Sequence, residues 1–116
     1  MSTLKADTIQ STSGGAATLT KQSAAKVWVN GSTSAGLNDS FNVSSGTDNG
    51  TGNYTYAFTN SMDNANWSPA GIVPQNSSFI QYVQTLATGS ALLRIANDGG
   101  TGVDSKNSLH VAGDLA

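Results

Sequence analysis

His110 is the only imidazole in the chain, so imidazole acid–base chemistry or metal ligation would have to pass through it. It stands between Leu109 and Val111, and period-two alternation puts it on the opposite strand face from those two. That is a surface or intersubunit packing position, and no nucleophile elbow accompanies it. The seven acidic residues are all aspartates: Asp7, Asp39, Asp48, Asp63, Asp98, Asp104 and Asp114. Glycoside hydrolysis needs two carboxyl groups at a fixed separation, one of them with a raised pKa. The spacing singles out no such pair. Asp98-Gly-Gly-Thr-Gly-Val-Asp104 and Asp48-Asn49 offer oxygens to a hard cation, but neither follows the alternating ligand spacing of an EF-hand, and both read as turn residues. The glycine-rich GTDNGTGN (46–53) lacks the lysine of a phosphate-binding loop and does not lead into a helix. With no cysteine there is no disulfide, no thiolate metal site and no thiol nucleophile. No residue is therefore assigned to catalysis or to a metal, and no cofactor is expected. Trp28, Trp67, Tyr54, Tyr56 and Tyr82 remain as side chains able to stack on sugars or to pack a core or an interface.

The elements that would position these residues are strands. DSFNVSSGTDNGTGNYTYAFTN (39–60) holds two alternating runs around a centre of turn formers. Leu37, Phe41 and Val43 share one parity of the first run; Tyr54, Tyr56 and Phe58 share one parity of the second. Asn49-Gly50 is the dipeptide best suited to φ > 0 at both central turn positions, so 37–44 and 53–60 are predicted to form one β-hairpin with a single buried face. AAKVWVNG (24–31) reads as the first strand of the globular part. Val27 and Val29 share a face there, and Trp28 points the other way as an edge-strand aromatic suited to intersubunit contact. Pro69 ends or edges a strand after Trp67. In SFIQYVQTL (78–86), Ile80, Tyr82 and Leu86 share one parity and Phe79 and Val83 the other. In ALLRIAN (91–97), Leu93 and Ile95 oppose Leu92 and Arg94. Strands apolar on both faces are central or covered by another chain. NSLHVAG (107–113) closes the chain with Leu109 and Val111 on one face. About six short strands separated by turn signals, with no helical periodicity, predict an all-β, small antiparallel β-sandwich of jelly-roll-like type.

Composition supports that class. Ser, Thr, Asn and Gly make up close to half of the 116 residues, and short polar side chains resist helix by competing for backbone hydrogen bonds. The five basic residues, Lys5, Lys21, Lys26, Arg94 and Lys106, are scattered and the net charge is −2, which argues against nucleic acid. No apolar run approaches membrane-spanning length and none resembles the apolar core of a signal peptide, so a soluble protein made in a cytoplasm is expected.

Residues 1–24 form an arm distinct from the sandwich of residues 25–116. Beyond Met1 the arm has only Leu4, Ile9 and Leu19 as large apolar residues, with Gly14-Gly15 as a break. Three such side chains do not offset an ordering cost of roughly 1–2 kcal/mol per residue. The arm is expected to lie extended against a neighbouring chain, with Leu4, Ile9 and Leu19 as its assembly contacts.

The opening LKADTIQSTSGGAATLTKQSAAKVWVN, followed by DSFNVSS, TDNGTGNYT, FTN and ANW, resembles a module of tail-fibre and other virion proteins of tailed bacteriophages, cyanophages among them. The likeness covers residues 3–67; LHVAGD resembles the module's closing strand more loosely, and 68–106 departs from it. The resemblance implies a non-enzymatic virion structural protein, made in the host cytoplasm and commonly trimeric, with an N-terminal arm that attaches the module to the particle or to sister chains. The expected role is a tail-fibre or receptor-binding-type appendage, with other virion proteins and a host surface glycan as partners. A capsid cement or decoration protein is the alternative, and a stand-alone carbohydrate-binding module a third. Trp28, Trp67 and Tyr82 are the aromatics expected to serve intersubunit or glycan contact.

Overall fold

The computed structural model describes residues 3, 5–15, 24–74 and 78–116. Eight strands form two four-stranded antiparallel sheets packed face to face. The first sheet has the order β2 (Leu37–Phe41), β1 (Val27–Gly31), β8 (Asn107–Ala112), β5 (Ser68–Ala70). The second has the order β3 (Val43–Asp48), β4 (Asn53–Phe58), β7 (Ser90–Ala96), β6 (Ile80–Leu86). The expected small β-sandwich is what the chain forms. Hairpins β1–β2, β3–β4 and β6–β7 stay within a sheet, while the other four connections cross from one sheet to the other.

The core lies where the central strands face each other. Val27 and Val29 of β1 and Leu109 and Val111 of β8 point inward from the first sheet; Tyr54 and Tyr56 of β4 and Leu93 and Ile95 of β7 meet them from the second. All eight side chains are essentially inaccessible to solvent. Each buried aliphatic side chain contributes about 1.5–3 kcal/mol, and Phe58, Met62, Trp67 and Val73 extend the same core. The alternation of 53–58, 91–97 and 107–113 is thus realised as one buried and one outer face on three strands.

The hairpin of 37–44 with 53–60 is corrected. Its first run is two strands, in different sheets. Asn42 has φ +58°, and this left-handed residue turns the chain from β2, paired with β1, into β3, paired with β4. Asn is one of the few types that tolerates that region. The Asn42 side chain also ties the corner together: its Nδ2 donates to Lys26 O and Asn60 O, both at 3.1 Å, and its Oδ1 accepts from Asn60 N at 2.7 Å. Parity does not survive such a corner. Phe41 lies on the outer face, 52% exposed; Leu37, beyond an irregularity in the β1–β2 register, is 36% exposed; only Val43 packs on the core.

The β3–β4 turn also differs from the expected two-residue form. The positive φ values belong to Gly50 and Gly52 rather than to Asn49. Asn53 N donates to Gly50 O at 2.9 Å, placing Gly52, at φ +68°, in the third position of a four-residue turn, where glycine is favoured.

Two further readings change. β1 is a central strand, flanked by β2 and β8, so Trp28 is not an edge aromatic. Leu86 does not share a face with Ile80 and Tyr82. The β6–β7 register shifts between Val83 and Thr85, and the extra residue of this bulge turns both Val83 and Leu86 toward the core. Strand β6, expected to be either central or covered by a second chain, is not central: it is the edge of its sheet. Pro69 does sit on an edge strand, β5.

Candidate binding surfaces

The buried polar groups at one end of the sandwich show what the loops there do. Tyr56 donates its hydroxyl proton to Asn107 Oδ1 at 2.6 Å, and Asn107 Nδ2 donates to the carbonyls of Ser32 and Ser105. Tyr54 Oη donates within reach of Thr33 O (3.0 Å) and Asp104 Oδ1 (3.1 Å), and accepts from Ser105 N at 3.3 Å. Asp104 Oδ1 also accepts from Gly52 N at 2.8 Å. Burial pushes both phenols up to about 12; for Tyr54, the Ser105 N–H pulls the other way and the Asp104 carboxylate adds to the rise. Asp104, one of the two ends of the sequence considered for calcium, thus serves as an acceptor that joins the loop after β7 to the β3–β4 turn. The loop before it is organised by Asn97, whose Oδ1 accepts from Gly99 N and Thr101 N. Among the described residues, His, Asp and Glu nowhere gather in a group of three able to hold a metal ion. The glycine-rich 46–53 stretch is part of this scaffold, with Ile95 N donating to Gly52 O at 2.8 Å.

The outer face of the first sheet carries a row of aromatic residues that only the register brings together. Trp28 pairs with Phe41 on one side and with His110 on the other, and His110 pairs with Ala70. Phe41, Trp28 and His110 therefore lie side by side on β2, β1 and β8, at a strand spacing of about 4.8 Å. Phe41 and His110 are exposed and Trp28, between them, is half-buried. The next row on the same face is Asp39, Asn30 and Ser108. Asn38 Nδ2 donates to Asn30 Oδ1 at 3.3 Å. Lys26 precedes the aromatic row on β1's side, its backbone N–H bonded to Val111 O.

A second surface lies where the two sheets open at the β5 and β6 edges. A groove of about 270 Å³ runs between Pro69, Ala70 and Gly71 on one side and Gln81, Tyr82 and Val83 on the other. Ile72, Ile80 and Tyr82 are 72%, 58% and 47% exposed along this edge. Gln81 closes the floor. Its amide pairs with both backbone groups of Ser108, Nε2 donating to Ser108 O and Oε1 accepting from Ser108 N. Ser108 Oγ in turn bonds Ile72 N and O, at 3.1 and 2.8 Å. A side-chain amide here takes the place of the strand that β8 loses where β5 ends.

The aromatics named from the sequence thus separate. Trp67 is a core residue, 4% exposed, with its ring edge-on to Phe58 at 5.8 Å and its Nε1 donating to Ala87 O at 3.0 Å; it is not placed to touch a glycan or a second chain. Trp28 stands in the outer row and Tyr82 beside the groove. Of the arm contacts, Ile9 is 55% exposed, and Leu4 and Leu19 lie outside the described residues. Sequence reasoning missed Phe41 as a surface residue, the pairing of Phe41 with Trp28, and the roles of Asn107 and Gln81. The polar Asn42 directly after Phe41 was the one available signal for the first of these.

Compared with known proteins, the chain matches no family model, no curated protein and no solved structure.

Proposed function

We propose that this chain is a non-enzymatic structural component of a bacteriophage virion: a small tail-fibre or receptor-binding-type appendage module that self-associates as a trimer and attaches through residues 1–24. The virion part of this reading rests on the resemblance carried by residues 3–67. The assembly part rests on one observation, the apolar open edge formed by Ile72, Ile80 and Tyr82 around the β5/β6 groove. A chain with few large apolar residues leaves three of them on or beside a sheet edge that is unpaired among the described residues, and natural proteins otherwise blunt or cover such edges. A head-to-tail contact repeated around a threefold axis covers that edge in every copy and closes on itself.

Light scattering of the pure protein tests the assembly, and particle labelling tests the location. Three chain masses at micromolar concentration, falling to one in Ile80→Lys or Tyr82→Asp, are expected; one chain mass in the unaltered protein overturns the trimer. Deleting residues 1–24 is expected to leave a folded sandwich that no longer joins the particle. On intact virions, label confined to the tail is expected, and label over the whole head assigns the chain to capsid decoration instead.

A further inference from the structure

Asn-Gly occurs at Asn30-Gly31 and again at Asn49-Gly50, and the fold places the two dipeptides in opposite situations. Asn30-Gly31 lies inside β1, paired with β2 on one side and β8 on the other. Gly31 is buried there, against Tyr56 Oη and Asn107 Oδ1. Asn49-Gly50 directly follows β3 in the β3–β4 turn, and both residues are exposed. No atom beyond its chain neighbours lies within 4 Å of where a Cβ on Gly50 would sit. We propose that Asn49 is a self-modification site, at which the Gly50 backbone nitrogen displaces the Asn49 side-chain amide as ammonia.

The turn already joins each reacting group to a partner. Gly50 N donates to Asp48 Oδ1 at 3.0 Å, and Asn49 Nδ2 donates to Thr55 Oγ1 at 2.8 Å. The nucleophile is thus bonded to a carboxylate and the leaving group to a hydroxyl. Ring closure forms the bond from Gly50 N to Asn49 Cγ and breaks the bond from Cγ to Nδ2. Asp48 accepts the proton of the attacking nitrogen and passes it to solvent. The Thr55 hydroxyl, which donates as well as accepts, gives a proton to the departing nitrogen and is reprotonated by water. Water then opens the cyclic imide at either carbonyl. Attack at Cγ leaves aspartate. Attack at the Asn49 backbone carbonyl leaves isoaspartate, whose main chain runs through the side chain and is one carbon longer. Either product adds a carboxylate beside Asp48.

The sheet, rather than the dipeptide alone, supplies this arrangement. Asp48 belongs to β3 and pairs with Tyr54 of β4. Thr55 is a half-buried residue of β4, paired with Thr47 of β3 and Leu92 of β7. Proton acceptor and proton donor are therefore carried on paired strands. Asn49 N donates to Asn53 O at 2.8 Å, and Gly52 is anchored to Asp104 Oδ1 and to Ile95 N. The turn is thus held on both sides of the reacting pair, and the groups the reaction needs are in place before it starts. At Asn30-Gly31 the same ring closure would have to break a central strand. Water is the one co-reactant, and the chemistry does not depend on assembly.

The full chain, aged at neutral pH and mapped by peptide mass spectrometry, reads both dipeptides at once. Conversion exchanges an amide NH2 for OH, and isoaspartate separates from aspartate on a column. Asn49 should convert in the folded protein while Asn30 stays intact. Asn49 should also convert faster in the fold than in the same chain held unfolded in guanidinium chloride, where the two dipeptides should age alike. Asp48→Asn keeps an acceptor for Gly50 N without the carboxylate, and Thr55→Val keeps a β-branched strand residue without the hydroxyl. Each should slow conversion at Asn49 about tenfold, less than a general acid or base supplies in a closed site, because water replaces part of the lost function at an exposed turn. An Asn49 that converts no faster in the fold than in the unfolded chain overturns the proposal, and that comparison needs no variant. Conversion of Asn30 in the fold as fast as that of Asn49 overturns it too, as does a rate at Asn49 unchanged in either variant.

Discussion

The Tyr56 hydroxyl, on a central strand of one sheet, donates to Asn107 Oδ1, on a central strand of the other, across 2.6 Å in a site closed to solvent. This is a polar bond between the two sheets at one end of a sandwich with few large apolar residues. Every polar atom of Asn107's amide is used, since Nδ2 serves Ser32 O and Ser105 O. Tyr56→Phe leaves Oδ1 without its donor and should cost about 1–3 kcal/mol in denaturant unfolding. Asn107→Ala strands the Tyr56 hydroxyl and two carbonyls and should cost about 3 kcal/mol or more. Equal effects of the two substitutions would disprove this partition.

Gly31 lies directly against that bond. A Cβ at Gly31 would overlap both Tyr56 Oη and Asn107 Oδ1. Gly31→Ala should therefore destabilise by more than Tyr56→Phe does alone. Because removing the hydroxyl clears part of the clash, the double variant should be less damaged than the sum of the two. A double-mutant cycle measures this, and simple additivity would contradict it.

Period two is a local property, and it served where a strand is straight and central. Tyr54/Tyr56/Phe58 and Leu109/Val111 were legible as buried faces, and the two-sided run 91–97 as a strand that is central, because each run keeps one register throughout. It failed at Asn42 and at the β6 bulge, because one left-handed or inserted residue reverses parity and leaves no mark in an apolar/polar pattern. The sequence left Trp67 open between core, interface and glycan contact, because a loop residue amid SMDNANWSPAG has no strand alternation to reveal its burial. The aromatic row was illegible for another reason: Trp28, Phe41 and His110 are far apart in the chain, and only cross-strand register makes them neighbours.

The two buried tyrosines predict a defined alkaline limit. Their phenols titrate near 12 in the fold against about 10 in an unfolded chain. Below about 10 both states hold the two protons, and this contribution to stability is fully present. Between about 10 and 12 the unfolded state loses protons that the fold retains, so stability falls as pH rises through that window. Urea midpoints should drop steadily over it, with Tyr56→Phe showing a shallower decline. A midpoint independent of pH across the window would refute the linkage.

Asn42 is predicted to be a sensitive position, because both its backbone conformation and its side-chain bonds hold the corner between the sheets. Asn42→Ala loses the bonds to Lys26 O, Asn60 O and Asn60 N and leaves a Cβ residue at φ +58° without local support. Asn42→Gly loses the same bonds but adopts the backbone conformation freely, so it should be about 1 kcal/mol more stable than the alanine variant. Thermal unfolding of the pair separates the two causes. An alanine variant as stable as the glycine variant would show that the backbone conformation costs nothing.

Gln81 supplies the last test, because its amide stands in for a missing strand. Gln81→Leu removes both bonds to the Ser108 backbone, so exchange of the Ser108 amide hydrogen should quicken by roughly tenfold or more while β1 amides stay protected. Gln81→Glu keeps an acceptor for Ser108 N but, when ionised, turns a carboxylate toward Ser108 O. Only its protonated form can donate there, so the fold should raise the pKa of this carboxyl above the unfolded value. The variant's stability is then fully present below the unfolded pKa and is lost as pH rises through the folded one. Its melting temperature, measured against that of the unaltered protein at each pH, should recover on acidification. A deficit that stays constant with pH would show that the donor half of the Gln81 amide does not hold the edge.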